Sequence, residues 1–395
     1  MSTSNPASNQ DIITAIRQVV SPGPGPVGLH EPRFVGREWD YVKECLDTGW
    51  VSSVGSFVDR FERSLADICG VPNVLATVNG TCALHLAMHV LGVRPGDEVV
   101  TPALSFVATA NAVAHCGAVP HFADCDGLTL GVDPHRLRAH LRDIGERSND
   151  GLVNRLTGRR IVGVICTHIF GHPALIDELV DVCAEYGLPL IEDAAEALGS
   201  RWQGRHLGGF GTVAALSFNG NKIVTTGGGG ALLTHDAALA KRLRHVGTTA
   251  KQAHPWCFDH DQVAFNYRLP NINAALGCAQ LECLDDFLAA KRALAARYRQ
   301  ALSGVPGVSV MIERDGAIAN YWLNTLVFDQ PGLDRRDALL SDLHAQGLQA
   351  RPIWTLLSDL PMYRDCPRMA LDVAARTEAS LVNLPSSVRL GVDLA

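Results

Sequence analysis

The chain has 395 residues, of which 47% are hydrophobic and 19% charged, a balance typical of a folded globular protein. Its net charge of -7 argues against a general nucleic-acid binder, because phosphate backbones are bound by clustered Lys and Arg. The 11 cysteines form no C-x-x-C pair, so no zinc or thioredoxin-like site is indicated. No signal peptide or membrane-spanning pattern is visible, and we expect a cytoplasmic protein.

The element pattern predicts an α/β fold with three parts. Residues 1–28 form a polar, Ser- and Pro-rich arm, which we expect to be loosely ordered or packed on a partner. A large domain, 29–285, alternates helical patterns with apolar strands such as NVLATV, IVGVICTH and LPLIED, which indicates a mostly parallel sheet covered on both faces. After Asn273 one long helical pattern is expected to bridge to a smaller α+β domain, 286–395.

Lys222 lies in SFNGNKIVTTGGGG, between a predicted strand end and a Gly-rich turn. Catalytic groups cluster at such strand ends in open α/β sheets. A single lysine is more often a solvated surface residue, but the flanking Asn and Gly residues indicate a special backbone. A lysine amine in this position could form a Schiff base with a cofactor aldehyde.

Three more residues match what a pyridine ring needs from a protein. Asp193 ends the strand LPLIED and could pair with the ring nitrogen, or cap the following helix, or do both. Glu196 could reach a ring oxygen or complete a capping box. Phe106 begins the helical pattern SFVATANA and could lie on the ring face, although an aromatic residue there is more often core.

The segment NGTC, at a predicted strand-to-helix turn, is suited to a phosphate. It supplies the backbone of Gly80, Thr81 and Cys82 and the positive end of a helix dipole, which attract an anion. Many turns look like this one, so the signal is weak alone. Ser217 could add a hydroxyl donor. Together these residues predict a pyridoxal 5'-phosphate (PLP) site and no metal site.

The run IEDAAEALGS…GGFGTVAALSFNGNKIVTTGGGGALLT resembles the DegT–DnrJ–StrS group of PLP-dependent nucleotide-sugar aminotransferases. The blocks NGTCALHLAM, TPALSFVATANAV, HIFGHP and FNYRLPNINAALGCAQLE match the same group in order, so the resemblance spans nearly all of 29–395. It implies a fold-type I transaminase, usually a homodimer with shared active sites. It implies Lys222 as the Schiff-base lysine, Asp193 as the ring-nitrogen partner, and Asn266 as a phosphate contact to the neighbouring subunit.

The resemblance also places Gly80, Thr81, Cys82 and Ser217 at the phosphate and Phe106 on the ring. Two positions depart from the pattern. Position 196 is Glu where many members have Gln, and a charged Glu would repel the ring oxygen unless it shares a proton. Position 82 is Cys where Ala or Ser is common. Relatives with His in place of the lysine are dehydratases, so lysine favours transamination.

Finer features, including EWDYVKECLDTGWVSSVGSFVDRFE, ARPIWTLL and NLPSS, resemble the subgroup that acts on UDP-linked 4-keto-6-deoxy-N-acetyl sugars, such as the bacillosamine and legionaminic-type enzymes. This likeness implies Trp50, Ser52 and Ser53 near the nucleotide sugar. It adds His168 and Arg351 as candidate substrate contacts. A lone His at a strand end is as often a structural hydrogen-bonding group, and surface arginines are common.

We therefore expect transfer of an amino group from L-glutamate to C4 of the UDP-linked sugar, with ping-pong kinetics. The same chemistry on a GDP-linked 4-keto sugar or a dTDP-linked keto sugar is an alternative. A non-catalytic sensory or binding protein that keeps the fold is an alternative of a different class. A dinucleotide-binding oxidoreductase is disfavoured because G-x-G-x-x-G after a first strand is missing.

Overall fold

The computed structural model describes residues 6–20 and 25–392. Its helices are α1 Asn9–Val19, α2 Glu38–Thr48, α3 Ser56–Cys69, α4 Gly80–Leu91, α5 Ala108–His115, α6 Pro134–Ile144, α7 Ile176–Tyr186, α8 Ala237–Gly247, α9 Asn271–Glu282, α10 Leu284–Leu302, α11 Leu333–Ala345, α12 Asp372–Glu378 and α13 Arg389–Val392. Its strands are β1 Asn73–Thr77, β2 Glu98–Pro102, β3 Val119–Ala123, β4 Gly145–Ser148, β5 Gly151–Asn154, β6 Arg160–Thr167, β7 Leu190–Asp193, β8 Arg201–Trp202, β9 Arg205–His206, β10 Val213–Ser217, β11 Gly230–Thr234, β12 Val308–Val310, β13 Ala317–Ile318, β14 Asn324–Phe328, β15 Arg351–Pro352 and β16 Leu381–Leu384. None of these helices combines the length and the apolar character needed to cross a bilayer.

The large sheet has the strand order β1-β11-β10-β7-β6-β2-β3. The pairs from β10 to β3 are parallel, while β11 runs antiparallel to both of its neighbours. Apolar side chains cover both faces, with Phe61 and Phe218 in one layer and Leu86 and Ile191 in the other. This arrangement confirms the α/β fold with a mostly parallel sheet.

The parallel register brings several strand ends to one edge of the sheet. Thr167, the last residue of β6, pairs with Asp193, the last residue of β7, and Asp193 pairs with Ala215 of β10. Because β11 is antiparallel to both β1 and β10, the latter two strands point the same way. Loops that follow β1, β2, β6, β7 and β10 therefore all start at this carboxyl edge.

A second core lies around the antiparallel sheet β12-β14-β16-β15. Helices α1, α10 and α11 pack there, and the core includes Ile12, Ile16, Tyr298, Leu326 and Leu343. The expectation of a loosely ordered arm is therefore wrong for α1, because its apolar face is buried against the chain's own helices α10 and α11. Residues 1–5 and 21–24 of that arm lie outside the described residues.

The long helical pattern after Asn273 is divided in two, which corrects the expectation of one continuous bridge. The α9 and α10 segments meet at Cys283, whose backbone (φ -99°, ψ 3°) leaves the helical range. The two halves pack on different neighbours: α9 on α2 and α3, and α10 on α1 and α13. A change of direction between them lets each half bury its own face, and periodicity alone does not reveal it.

Asn271, the first residue of α9, caps the start of α3, which is far from it in the sequence. Its side-chain oxygen accepts hydrogen bonds from the amides of Phe57 and Val58 at 3.1 and 3.3 Å. Its side-chain nitrogen donates to the carbonyl of Trp50 at 2.7 Å, and its amide donates to the carbonyl of Ser52 at 2.6 Å. The N-cap position of α3 is a glycine, so Asn271 supplies the capping oxygen that the helix lacks locally.

We predict that Asn271→Ala lowers the free energy of unfolding by about 2–4 kcal/mol, because two buried amides and a carbonyl lose their partner. Urea unfolding measures the change. The matched control is Asn9→Ala, whose side chain bonds Asp342 at the surface and whose loss we expect to cost less than about 0.5 kcal/mol. Equal effects of the two substitutions would contradict the capping role of Asn271.

Candidate active site

The candidate site lies at the carboxyl edge of the large sheet. Gly80 follows β1, Phe106 follows β2, Asp193 ends β7, and Ser217 ends β10, with Lys222 five residues further along the chain. Ligands of open α/β sheets bind outside the carboxyl ends of the strands. The topology thus gathers residues that are up to 142 positions apart in the sequence.

The ammonium group of Lys222 has two partners. Its Nζ lies 3.4 Å from Oε1 of Glu196 and 3.9 Å from the centroid of the Trp322 ring. The side chain of Lys222 is only 14% exposed and that of Glu196 only 4%. The expected alternative of a solvated surface lysine is therefore wrong.

Asp193 is a buried carboxylate with two hydrogen-bond donors. Its Oδ2 accepts from the hydroxyl of Thr109 at 2.7 Å, and its Oδ1 accepts from the amide of Ala195 at 3.3 Å. Burial raises the pKa of Asp193, and this outweighs the two hydrogen bonds and the charge of Lys222, which act to lower it. A cationic partner would offset the cost of burying this carboxylate, and the N–H of a pyridinium ring is such a partner.

Glu196 is fixed by two contacts of different kinds. Its Oε2 accepts from the amide of Phe170 at 2.8 Å, while its Oε1 faces Lys222. Burial raises the pKa of Glu196 to about 7, and the charge of Lys222 opposes this rise. A carboxyl group with that pKa carries a proton in a large share of molecules at neutral pH. It can donate a hydrogen bond to a ring oxygen, which removes the expected repulsion.

The start of α4 forms a narrow cradle for an anion. A Cβ on Gly80 would lie 3.1 Å from Cβ of Ser217, and a Cβ on Gly230 would meet the backbone of Asn79 at 2.5 Å. The first approach is tight for any side chain, and the second, against backbone, requires glycine. The side chain of Asn79 accepts from the amide of Cys82 at 2.7 Å, so that amide is already bonded.

The other first-turn amides of α4, those of Gly80 and Thr81, have no acceptor within the helix. Together with the helix dipole and the Ser217 hydroxyl they suit a phosphate dianion. Phe106 is 54% exposed, so the alternative that it is plain core is wrong. Its carbonyl accepts from the amide of Thr109, whose hydroxyl bonds Asp193, so Phe106 is an exposed aromatic residue next to the turn that holds the partner of this carboxylate. These features fit PLP.

His168 does not match its expected role as a substrate contact, which is a correction. It is fully buried, its Nε2 lies 3.1 Å from Glu192, and its Nδ1 accepts from the amide of Ala174 at 3.2 Å. Both ring nitrogens are bonded within the protein, so neither is available to a ligand. Glu192 in turn accepts from the amides of Gly208, Phe210 and Gly211. His168 therefore supports the loop that follows β9.

Most of the remaining expected contacts line or adjoin a cavity other than the one around Lys222. Trp50 and Ser53 line a cavity of about 540 Å³ that shares no lining residue with the cavity around Lys222. Ser52 is exposed beside them. Asn266 is exposed and pairs with Thr248, which lines the same 540 Å³ cavity.

Arg351 is exposed on β15 of the small sheet, opposite Asn383. No group of three or more His, Cys, Asp or Glu side chains within residues 6–20 and 25–392 is arranged to hold a metal ion.

Sequence reasoning missed three residues of this site. Thr109 was detectable as the residue one helical turn after Phe106. Trp322 and Asn320 lie just before β14, and no motif connects them to Lys222 in the sequence. Asn320 donates to the backbone carbonyl of Glu196 at 2.8 Å, and Trp322 covers Lys222.

The fold and the site define a PLP-dependent aminotransferase. The chain belongs to the DegT/DnrJ/EryC1/StrS aminotransferase family, whose model matches residues 33–394. It is therefore a PLP-dependent nucleotide-sugar aminotransferase, as the resemblance implied.

Individual relatives agree with this assignment over most of their length. The chain is 38% identical to GDP-perosamine synthase of Vibrio cholerae, covering 91% of this chain and 94% of the relative. It is 33% identical to dTDP-4-dehydro-2,3,6-trideoxy-D-glucose 4-aminotransferase of Saccharopolyspora spinosa, with 91% and 92% covered. Among solved structures it is similar to the aminotransferase TlmJ of Streptoalloteichus hindustanus, with a TM-score of 0.82, 30% identity, and 92% and 94% covered.

We predict that Glu196→Gln changes how the stability of the cofactor-free protein depends on pH. The unfolded carboxyl ionises near its usual pKa of 4.5 and the folded one near 7, so wild-type stability falls as pH rises through that window. The glutamine variant lacks this loss. The unfolding free energy of Glu196→Gln minus that of wild type should therefore rise by about 3 kcal/mol as the pH increases from 4.5 to 7.

Urea unfolding at a series of pH values tests this expectation. The control is Glu146→Gln, at an exposed position, which should show a flat difference from wild type. A flat or declining difference for Glu196→Gln would contradict the protonated, buried state of this carboxyl.

Proposed function

We propose that the enzyme transfers an amino group to C4 of a GDP-linked 4-keto-6-deoxy sugar, with L-glutamate as the amino donor. The observation that carries the transfer chemistry is the largely shielded Lys222, held between Glu196 and Trp322 at the sheet edge where Asp193 ends β7. The GDP linkage is supported by the 38% identity to GDP-perosamine synthase over 91% of the chain. Position C4 is supported by the relative named as a 4-aminotransferase of a 4-dehydro sugar.

A second candidate substrate is a UDP-linked 4-keto-6-deoxy-N-acetylhexosamine. It is favoured by the segments EWDYVKECLDTGWVSSVGSFVDRFE and ARPIWTLL, which resemble the bacillosamine and legionaminic-type enzymes. Trp50, Ser52, Ser53 and Arg351 belong to these segments and are proposed to contact the nucleotide sugar. Both candidates share the keto group and the transfer chemistry, and they differ in the nucleotide and the sugar substituent.

Each protein group has a defined task in this proposal. Bound PLP supplies an electron-withdrawing ring that stabilises negative charge on carbon. Asp193 would keep a proton on the ring nitrogen, and Phe106 would pack against the ring face. Lys222 anchors the cofactor, and its freed Nζ accepts the proton from the amino-bearing carbon of the donor. Glu196 donates a hydrogen bond to the ring oxygen.

The phosphate is proposed to lie between the first amides of α4 and the hydroxyl of Ser217. Gly80 and Thr81 provide the amides, and the helix dipole adds a favourable field. Cys82 is proposed to act through its position in this turn, because its amide already bonds Asn79.

We propose further that the enzyme is a homodimer with shared active sites. Trp50, Ser53 and Asn266 are near one another but separate from Lys222, as expected for residues that serve the neighbouring subunit's site. Exposed apolar side chains line the same cavity, among them Trp50 at 58% exposure and Val54 at 59%. Large exposed aromatic and aliphatic groups on one region of surface are typical of an interface.

Substitution of Lys222 by alanine should reduce amino transfer by about 10³-fold or more, because both the anchor and the proton acceptor are lost. The control, Lys241→Ala, changes an exposed lysine and should keep wild-type rates. The assay measures product by mass spectrometry with GDP-, UDP- and dTDP-linked 4-keto sugars and glutamate. Near-normal turnover by the Lys222 variant refutes the mechanism, while preference for the UDP-linked sugar replaces the GDP proposal by the second candidate.

A mixing experiment tests the shared sites. Lys222→Ala and Asn266→Asp should each be nearly inactive, the second because a carboxylate would repel the phosphate. Co-expressed subunits that pair at random should regain about a quarter of wild-type activity, because half of the dimers then carry one intact site. No recovery above the activities of the separate variants would contradict the shared arrangement.

A further inference from the structure

We propose that the indole ring of Trp322 is the resting place of the Lys222 ammonium whenever that lysine is not bonded to the cofactor. Trp322 is then a positioning residue of the active site, acting through Lys222. The inference rests on the proposed role of Lys222 as the cofactor-bonding lysine.

The contact between the two side chains is close and shielded from water. Lys222 Nζ lies 3.9 Å from the ring centroid, well inside the range of about 6 Å over which a cation is attracted to an aromatic face. Trp322 is 5% exposed and the Lys222 side chain 14% exposed, so water competes weakly for the ammonium. Tryptophan is the aromatic residue that attracts cations most strongly.

The indole ring of Trp322 and the carboxyl group of Glu196 both contact the Lys222 ammonium, but they respond differently to pH. Glu196 lies 3.4 Å from Lys222, but burial raises the pKa of Glu196 to about 7. Near neutral pH this carboxyl is therefore often protonated, and its attraction for a cation is then weaker. The indole face does not titrate. It can hold the ammonium in either protonation state of Glu196 without accepting its proton.

Three hydrogen bonds fix the ring in this position. The indole Nε1 donates to the carbonyl of Asn221 at 2.7 Å, which ties the ring to the residue next to Lys222. The amide of Trp322 donates to Oδ1 of Asn320 at 2.8 Å, and its carbonyl accepts from Nζ of Lys291 at 2.7 Å. The ring is therefore held over the lysine by its own side chain and by both ends of its backbone.

The same segment also holds the second partner of Lys222. Asn320 donates to the carbonyls of Glu196 and Leu198 at 2.8 and 2.9 Å. His30, whose ring centroid lies 6.4 Å from that of Trp322, adds no competing cation: burial, with the positive charges of Lys291 and Lys222, lowers its pKa well below the usual value. The surroundings thus favour one cation over the indole, that of Lys222.

The experiment measures how fast Lys222 is acetylated when it is not bonded to the cofactor. Full-length protein is loaded with pyridoxamine phosphate, which cannot bond Lys222, and treated briefly with acetic anhydride. Peptide mass spectrometry gives the acetylation rate of Lys222 relative to exposed Lys241. In Trp322→Leu we expect Lys222 to react about fivefold faster, since the attraction that holds it as a buried ammonium is lost. Trp322→Phe, which keeps an aromatic face, should give an intermediate rate.

The matched control is Trp202→Phe. Trp202 carries its own cation, with Arg314 at 3.4 Å from the ring, and is outside the lining of the Lys222 cavity. This variant should leave the Lys222 rate unchanged. Circular dichroism checks folding, and Trp322→Met replaces the leucine variant if that variant does not fold.

The outcomes separate this inference from the proposed function. In wild type, pyridoxal phosphate must block acetylation of Lys222, and failure to block it refutes the proposed function. If blocking occurs but Trp322→Leu reacts at the wild-type rate, only the role of Trp322 is overturned. A phenylalanine variant as reactive as the leucine variant overturns the role of the ring face as well.

Discussion

Two buried carboxyl groups, Asp193 and Glu196, and the largely shielded Lys222 lie at one edge of the sheet, and their charges must be compensated there. An isolated buried charge costs several kcal/mol, and removing one partner of a buried pair leaves the other uncompensated. Here the ammonium meets a carboxyl group at 3.4 Å and an indole face, while Asp193 accepts from a hydroxyl and an amide. The remaining cost raises the pKa of both carboxyl groups. PLP carries the complementary groups, a pyridine nitrogen and a ring oxygen.

Residues from the large sheet and from the segment before β14 together compensate these charges. The parallel strands of the large sheet bring Asp193 and Lys222 to one edge, because their register aligns the strand ends. The segment just before β14 adds Trp322 over the lysine and Asn320, which bonds the backbone of Glu196. Lys291 is buried on α10 and donates to the carbonyl of Trp322, which connects α10 to the site.

The sequence predicted the parts of the site that depend on strand ends and special backbone. Lys222 and Asp193 follow apolar strands, which is a local pattern, and Gly80 marks a close approach that the structure contains. Thr109 and Trp322 were not predicted as site residues, because their partners are set by tertiary packing. His168 was misjudged because sequence alone does not reveal that both its nitrogens are bonded. The helix α1 was not predicted, because its apolar face is covered by α10 and α11, which are distant in the sequence.

The central claim is that one lysine carries the cofactor. Borohydride reduction of the PLP-loaded protein, followed by digestion and peptide mass spectrometry, tests it most directly, since reduction makes the link between lysine and cofactor permanent. The account predicts a single cofactor-modified peptide, the one that contains SFNGNKIVTTGGGG, with the modification on Lys222. Modification of a different lysine, or of none, would contradict the assigned chemistry and leave only the architecture and the family assignment standing.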